Sequence, residues 1–356
     1  MNKFYQLKVS EVKQETDDAK SIAFDIPERF KDIFQYKPGQ YLTLKFNLNG
    51  KEERRSYSLC SSPAADESLR VGVKRVKDGL VSNHINDKLE AGMVVEVMPP
   101  DGRFLVDVSA NNNKAYYLFA AGSGITPMLS ILRTVLLTEE KSTVHLVYGN
   151  RTQDSIMFKE ELDELQERYP NRFNLVYTLS RSKRSLWSGK PKMDFRKGRV
   201  DAECVQWFVG KHPSGTQDAA YFICGPGTMI ENTKKALMGI DIPEEQIFIE
   251  SFGEEVAEDA NEDAVGEAKL TAYLDDEEIH ITVPEGKTIL RALIDENYDP
   301  PYSCEGGVCS TCICLVKKGK VHMKTNVALT DKEVEEGYAL SCQSIPLTQE
   351  VEIEYE

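Results

Sequence analysis

The chain has 356 residues, enough for two or three domains, and its hydrophobic fraction of 41% is that of ordinary globular proteins. Its 58 acidic residues outnumber its 43 basic ones, and the formal charge of −15 argues against nucleic-acid binding, which needs a basic face. Neither a signal-peptide core nor an apolar run of about 18 residues occurs, so we expect a cytoplasmic protein without a membrane span.

Residues 1–108 read as short strands separated by turn residues such as Pro38–Gly39 and Asn49–Gly50. Many short strands with such turns predict a small antiparallel β-barrel. The predicted strands are Tyr5–Val12, Ser21–Ile26, Gln40–Phe46, Arg54–Leu59, Leu69–Val76 and Val94–Met98.

Two stretches of this barrel are candidate binding segments. On the strand Arg54–Leu59, Arg55 and Tyr57 share one face, while Ser56 and Ser58 share the other. In the second stretch, Val73–Lys74–Arg75 is followed by a glycine turn at Gly79 and a short helix that has Ser82 near its start. A helix N-terminus of this kind can hold a phosphate. Taken singly, each stretch also fits an ordinary half-polar strand or a solvated basic strand end.

Residues 109–252 change to alternating strands and helices, which predicts a doubly wound parallel sheet. At the first strand end, Thr126 is expected to cap a helix that has Pro127 at its first position. The predicted elements are strands Tyr116–Ala121, Val144–Tyr148, Asn174–Leu179, Tyr221–Cys224 and Gln246–Glu250, and helices beginning at Phe158, Ala202 and Met229.

Ligands of such sheets bind at the carboxyl ends of the strands, and the candidate residues of this segment fall there. The glycine pair Gly122-x-Gly124 lacks the third glycine of the usual dinucleotide fingerprint, and each position alone also fits an ordinary turn. The candidates are Gly122, Gly124, Thr126, Arg151, Ser180, Arg181, Cys224, Gly225, Pro226, Glu250 and Phe252.

Residues 253–267 carry seven acids and no bases, which predicts a solvated acidic linker. Residues 268–356 then contain a hairpin, the strands Lys269–Leu274 and Glu278–Val283, and a helix capped by Thr288. Further strands are expected near Ile313, Tyr338 and Glu350.

Four cysteines of this last segment have the spacing C-x4-C-x2-C…C, which is typical of a plant-type [2Fe–2S] cluster. Structural zinc and free thiols are the alternatives, but zinc sites usually show two C-x2-4-C pairs or histidine ligands. Cys314 is interpreted as a core residue, and Cys60 and Cys204 as structural. The predicted ligands are Cys304, Cys309, Cys312 and Cys342.

Taken together, these motifs resemble the ferredoxin–NADP reductase superfamily. The barrel motif R-x-Y-S begins at Arg55, and G-x-G-I-T-P and C-G-P-x-x-M begin at Gly122 and Cys224. The segment P-Y-S-C-x-x-G-x-C-x-x-C resembles plant-type ferredoxins, which implies an α+β, β-grasp-like third domain. The order of flavin barrel, nucleotide domain and ferredoxin looks like reductase components of multicomponent oxygenases, most of all those of the phenylacetyl-CoA epoxygenase type.

The resemblance implies roles for individual residues. Arg55 would contact the pyrophosphate of FAD, which is preferred over FMN, and Tyr57 would pack on the flavin ring. Ser180 and Arg181 would meet the 2′-phosphate of NADPH, with Arg151, Lys183 and Arg184 adding charge nearby. The remaining flavin-site residues would be Ser56, Ser58, Val73, Lys74, Gly79 and Ser82, and the residues around the flavin–nicotinamide contact would be Ser58, Cys224, Glu250 and Phe252.

The implied electron path runs from NADPH to FAD, to the [2Fe–2S] cluster and then to a protein acceptor, which is an oxygenase component in the favoured interpretation. A general ferredoxin–NADP(H) reductase and an iron–sulfur redox sensor or carrier without turnover are the two alternatives.

Overall fold

The computed structural model describes residues 3–65, 67–181, 194–215, 217–253, 266–275 and 277–355. Within these ranges the chain forms three units, and each unit is built on its own main sheet. Among the helices described, none is both long and apolar enough to cross a membrane. The predicted acidic linker falls largely outside the described residues, as do Lys183 and Arg184.

The first unit is the predicted antiparallel barrel. Alternate side chains such as Leu7 and Val9 are fully buried in its core. The barrel closes where Leu59 bridges Val71 and the backbone N–H of Cys60 donates to Arg70 O over 2.8 Å. Its elements are β1 (Tyr5–Thr16), β2 (Ala19–Asp25), β3 (Tyr41–Leu48), β4 (Lys51–Ser58), β5 (Leu69–Lys74), α1 (Leu80–Lys88) and β6 (Val94–Val97), and the strands lie in the order β4-β3-β6-β1-β2-β5.

The second unit is the predicted parallel sheet, with helices on both faces. The strands lie in the order β10-β9-β8-β7-β11-β12; α2 and α3 pack on one face and α4 and α5 on the other. Its elements are β7 (Lys114–Ala121), α2 (Ile125–Thr138), β8 (Thr143–Asn150), α3 (Lys159–Arg168), β9 (Phe173–Leu179), β10 (Asp194–Lys197), α4 (Ala202–Lys211), β11 (Asp218–Cys224), α5 (Gly227–Met238) and β12 (Ile247–Glu250).

Two details of this sheet differ from the sequence predictions. The edge strand β10 is not predicted by the sequence pattern, because three of its four residues are charged. The predicted cap at Thr126 is wrong. A 3₁₀ turn at Gly122–Gly124 runs directly into α2, and the Thr126 hydroxyl donates to Ser123 O over 2.9 Å.

The third unit has a five-stranded mixed sheet in the order β14-β13-β19-β15-β17 and a separate two-stranded sheet, β16-β18. The Thr288 side chain caps α6 by accepting from the backbone N–H of Arg291, as predicted. The elements are β13 (Ala268–Leu274), β14 (Glu277–Val283), α6 (Ile289–Asp295), β15 (Ile313–Lys318), β16 (Val321–Met323), α7 (Asp331–Glu335), β17 (Tyr338–Leu340), β18 (Ser344–Pro346) and β19 (Glu350–Tyr355). Cys314 is fully buried in the core of this sheet.

Candidate functional site

A cavity of about 770 Å³ lies where the three units meet, within the size range of small-molecule sites. The barrel contributes β4 and the turn at Gly79. The parallel sheet contributes Ser123, Thr126 and the segment that follows β12. The third unit contributes its cysteine loop. One space is therefore shared by all three units.

Two cations of the barrel border this cavity. Arg55 pairs with Glu53 at 3.1 Å, and Lys74 pairs with Asp18 at 3.4 Å. These ion pairs hold both side chains at the cavity wall, where each can meet an anionic group. The predicted flavin-site residues that line the wall are Arg55, Ser56, Tyr57, Ser58, Lys74, Gly79 and Ser82.

The turn before α1 is fixed by Ser82. Its hydroxyl accepts a hydrogen bond from the backbone N–H of Val76 at 3.1 Å, which holds the helix N-terminus at the cavity. Among the predicted residues of the barrel, Val73 is placed differently. Its side chain is fully buried in the barrel core and does not line the cavity.

The inner edge of the cavity joins the first two units through a short polar contact. The Ser58 hydroxyl donates to Oε2 of Glu250 over 3.2 Å. Burial raises the pKa of Glu250 to about 8, although the hydrogen bond from Ser58 acts in the opposite direction and lowers it. A carboxyl with this pKa is mostly neutral at pH 7 and can donate a proton at the cavity wall.

The other two residues predicted beside this edge are placed on either side of Glu250. Cys224 pairs in register with Glu250 across β11 and β12, and burial raises the pKa of its thiol. Phe252 lines the cavity with 41% of its surface exposed. Its ring is therefore available to cover a ligand.

The glycines after β7 let α2 approach the end of β11. A Cβ added at Gly124 would lie 2.1 Å from Cys224 O, so only glycine fits there. Gly122 has a φ of 57°, which favours glycine at this sharp turn. Gly225 and Pro226 continue the same edge and lead into α5.

The outer carboxyl edge of the sheet is cationic. The backbone N–H of Arg181 donates to Arg151 O over 2.8 Å, and Gly198 donates to Leu179 O over 3.0 Å. Arg151, Ser180, Arg181 and Lys197 therefore lie at three adjacent strand ends. Within the described ranges, no carboxylate pairs with the side chains of Arg151, Arg181 or Lys197.

The predicted cluster cysteines form two pairs. Sγ of Cys304 and Sγ of Cys309 lie 3.1 Å apart, and Cys312 hydrogen-bonds to Cys342. The hydrogen bond from Cys309, joined by backbone N–H donors, lowers the pKa of Cys304 to about 6. This environment stabilises a thiolate, which is the form that binds iron.

Two thiol pairs suit a binuclear cluster, because each of its two irons takes two thiolates. The donor set thus fits [2Fe–2S] better than zinc.

The cysteine loop is docked on the barrel. Ser303 lies 2.6 Å from the Ser56 hydroxyl and accepts from Thr43 at 3.1 Å. The Tyr41 hydroxyl lies 2.7 Å from that of Thr311. The residues next to the predicted cluster cysteines therefore hold the loop against this cavity.

Sequence reasoning missed several residues of this site. Tyr41 is the first residue of β3, but its contact with the third unit spans 270 positions. Lys324, Thr325 and Gln343 line the cavity without belonging to any motif. Lys197 was missed because its strand carries no apolar signal.

The fold and this site define a class of protein: an oxidoreductase that joins a flavin barrel, a nicotinamide-nucleotide sheet and an iron–sulfur domain. Comparison with protein families agrees with this class. Residues 6–105 match the Oxidoreductase FAD-binding domain, residues 118–235 the Oxidoreductase NAD-binding domain, and residues 272–347 the 2Fe-2S iron-sulfur cluster binding domain.

Whole-chain relatives are also found. The chain is 38% identical to one of the subunits of 1,2-phenylacetyl-CoA epoxidase from Escherichia coli (strain K12), over 100% of this chain and 99% of that protein. It is 36% identical to the ferredoxin reductase component of 3-ketosteroid-9-alpha-monooxygenase from Rhodococcus rhodochrous, over 98% of this chain and 96% of that protein. The solved structure of phthalate dioxygenase reductase has the same fold, with a TM-score of 0.59 and 24% sequence identity. The match covers 99% of this chain and 98% of that one.

The chain belongs to the family of NAD(P)H-dependent, ferredoxin reductase-type oxidoreductases that includes these relatives. The predictions of FAD, a nicotinamide nucleotide and a [2Fe–2S] cluster are thereby confirmed.

Proposed function

We propose that the protein takes electrons from NADPH and passes them one at a time to an oxygenase component. Bound flavin supplies the conversion between a hydride and single electrons. One observation carries the proposal: Glu250 of the nucleotide unit and Cys304 and Cys309 of the cluster loop line the same cavity. A ligand ring in that cavity would have its electron source on one side and its electron outlet on the other.

The chain's own residues bind, orient and shield. Arg55 and the α1 N-terminus would hold the FAD pyrophosphate, and Tyr57 would pack on the ring. Ser58 and Glu250 would keep a proton beside the ring edge, with Cys224 packed behind them. Phe252 would cover the ring until the nicotinamide displaces its side chain.

The preference for NADPH rests on the cationic edge of the sheet. Arg151, Arg181 and Lys197 gather positive charge at adjacent strand ends, and no carboxylate of the described residues pairs with them, which suits a dianionic 2′-phosphate. An NAD-specific site would instead place an acid on the ribose hydroxyl.

Steady-state kinetics of Arg181→Ala with both nucleotides test this preference. Loss of a charge-assisted phosphate contact should raise KM for NADPH roughly tenfold and leave KM for NADH nearly unchanged. Arg168→Ala, at the end of α3 and hence at the opposite edge of the sheet, is the matched control. Equal effects of Arg181→Ala on both nucleotides would refute the 2′-phosphate role.

The proposed acceptor follows from the relatives, which are named as subunits or components of oxygenases. Phenylacetyl-CoA epoxidase is the first oxygenase to test, since the relative from Escherichia coli is one of its subunits. Coupled turnover with the purified oxygenase component should consume NADPH and yield oxygenated product. Reduction of cytochrome c and of simple ferredoxins without product would favour a general reductase, and no NADPH oxidation at all would favour a carrier.

We also propose the unit boundaries 1–108, 109–252 and 268–356, joined through the acidic segment 253–267. A cytoplasmic location is part of the same proposal. It is supported by the eight cysteines, all of which are free thiols in the structure.

A further inference from the structure

The iron–sulfur unit supplies a wall of the flavin cavity that does not belong to its cysteine loop. Lys324, Thr325 and Gln343 line the cavity from the segments around β16 and β18. No carboxylate in the described part of the chain pairs with the Lys324 side chain, whereas Arg55 and Lys74 each have one. Lys324 thus lines the cavity as a cation that has no carboxylate partner among the described residues.

A buried arginine of the barrel holds this wall in place. Arg54 is 6% exposed, its guanidinium lies 4.1 Å from the ring centre of Tyr302, and its Nη2 lies 3.1 Å from Oδ1 of Asp299. Glu52 of the same strand also forms an ion pair with Arg54. Arg54 itself does not line the cavity.

Strand β4 serves two tasks. Arg54 and Ser56 contact Tyr302 and Ser303, which are consecutive residues of the third unit. Arg55 borders the flavin cavity, and Ser56 lines it as well. Because one short strand carries both sets of contacts, movement of the third unit on Arg54 changes the cavity wall directly.

We propose that the iron–sulfur unit completes the FAD site, and that Arg54 is a positioning residue that couples FAD binding to docking of this unit. The docked unit adds Lys324 and its neighbours to the contacts of FAD. Since coupling between two equilibria is reciprocal, bound FAD must stabilise docking by the same factor. The inference depends on the flavin site alone and not on the identity of the nucleotide or the acceptor.

The test is FAD affinity of the full-length, cluster-loaded and flavin-stripped protein, followed by flavin fluorescence. Arg54→Met and Asp299→Asn should each weaken FAD binding about tenfold, equivalent to about 1.4 kcal/mol. The double variant should be no weaker than the worse single one, because both substitutions remove the Arg54–Asp299 ion pair. Lys324→Met should weaken binding directly.

Arg29→Met is the control, because the exposed Arg29 also stacks on an aromatic ring of the barrel, Phe30, at 4.7 Å, and it forms no ion pair with the described residues of the third unit. It should leave FAD affinity unchanged. Cluster absorbance and circular dichroism identify variants that fail to fold. If a variant does not fold, hydrogen exchange of the wild-type protein with and without FAD provides a second test. FAD should slow amide exchange at Tyr302–Cys309. Wild-type FAD affinity in folded Arg54→Met and Asp299→Asn, or exchange that does not respond to FAD, would overturn the proposal.

Discussion

Glu250 makes the stability of this protein depend on pH in a direction opposite to that of most carboxylates. An unfolded chain ionises this glutamate near its ordinary value of 4.5, whereas burial holds the pKa of the folded carboxyl at about 8. Between these two values the folded state binds more protons than the unfolded state. The contribution of Glu250 to stability therefore falls as pH rises through this window, and the fall levels off above about pH 8.

The size of the effect follows from the interval between the two pKa values. At about 1.4 kcal/mol per pH unit, the full interval corresponds to roughly 5 kcal/mol as an upper bound. Because Glu250 is only partly buried, we expect roughly half of this energy, about 2 to 3 kcal/mol. For a folding unit of about 150–250 residues, this is a shift in apparent Tm of roughly 4 to 12 °C.

The perturbation is Glu250→Gln, which keeps the shape of the side chain and removes its titration. Apparent Tm of holoenzyme, measured by scanning calorimetry from pH 6 to pH 9, should fall more steeply for wild type than for the variant. Ser58→Ala removes the hydrogen bond that lowers this pKa, so its steep region should move to higher pH. Glu245→Gln, at an exposed position on the 3₁₀ turn before β12, is the control. Parallel profiles for wild type and Glu250→Gln would show that Glu250 does not titrate in this window.

Three further predictions concern the ring edge, the glycine turn and the cluster. Phe252→Ala should change the hydride-transfer rate or the NADPH to NADH preference in stopped-flow measurements; unchanged kinetics with both nucleotides would contradict its covering role. Gly124→Ala places a Cβ 2.1 Å from Cys224 O, so α2 must shift, and we expect about 1–3 kcal/mol of destabilisation together with a higher KM for NADPH. Cys309→Ser should abolish the cluster absorbance, whereas Cys314→Ser should retain it at lower Tm; loss of the cluster in both would show that Cys314 is a ligand.

Local patterns in the sequence are sufficient to predict the fold class. Alternation along strands such as β1 and the strand–helix repeats of the second unit are set by burial on one face, which the sequence displays directly. Where burial does not determine the secondary structure, the hydrophobic pattern predicts nothing. Strand β10 exists because it pairs with β9 at the sheet edge, and its charged residues carry no apolar signal.

The start of α2 shows a second limit of local reasoning. Thr126 and Pro127 form a usual pair of N-terminal helix residues, yet the helix begins at Ile125, two residues before the predicted first position. The close approach of Gly124 to β11 fixes the turn, and the Thr126 hydroxyl is used inside it. A tertiary contact therefore overrides the capping preference that the sequence indicates.

The cysteine segment is easy to recognise as a motif, but its contacts with the barrel are not predicted by it. Its spacing predicts a cluster, and the residues between the cysteines read only as loop. In the structure, however, Tyr302, Ser303 and Thr311 make the contacts with the barrel. Each of these three residues lies within two positions of a predicted cluster cysteine. The surface that docks on the barrel is therefore next to the cluster. A loop built this way brings its cluster to the flavin cavity by the same contacts that anchor the third unit.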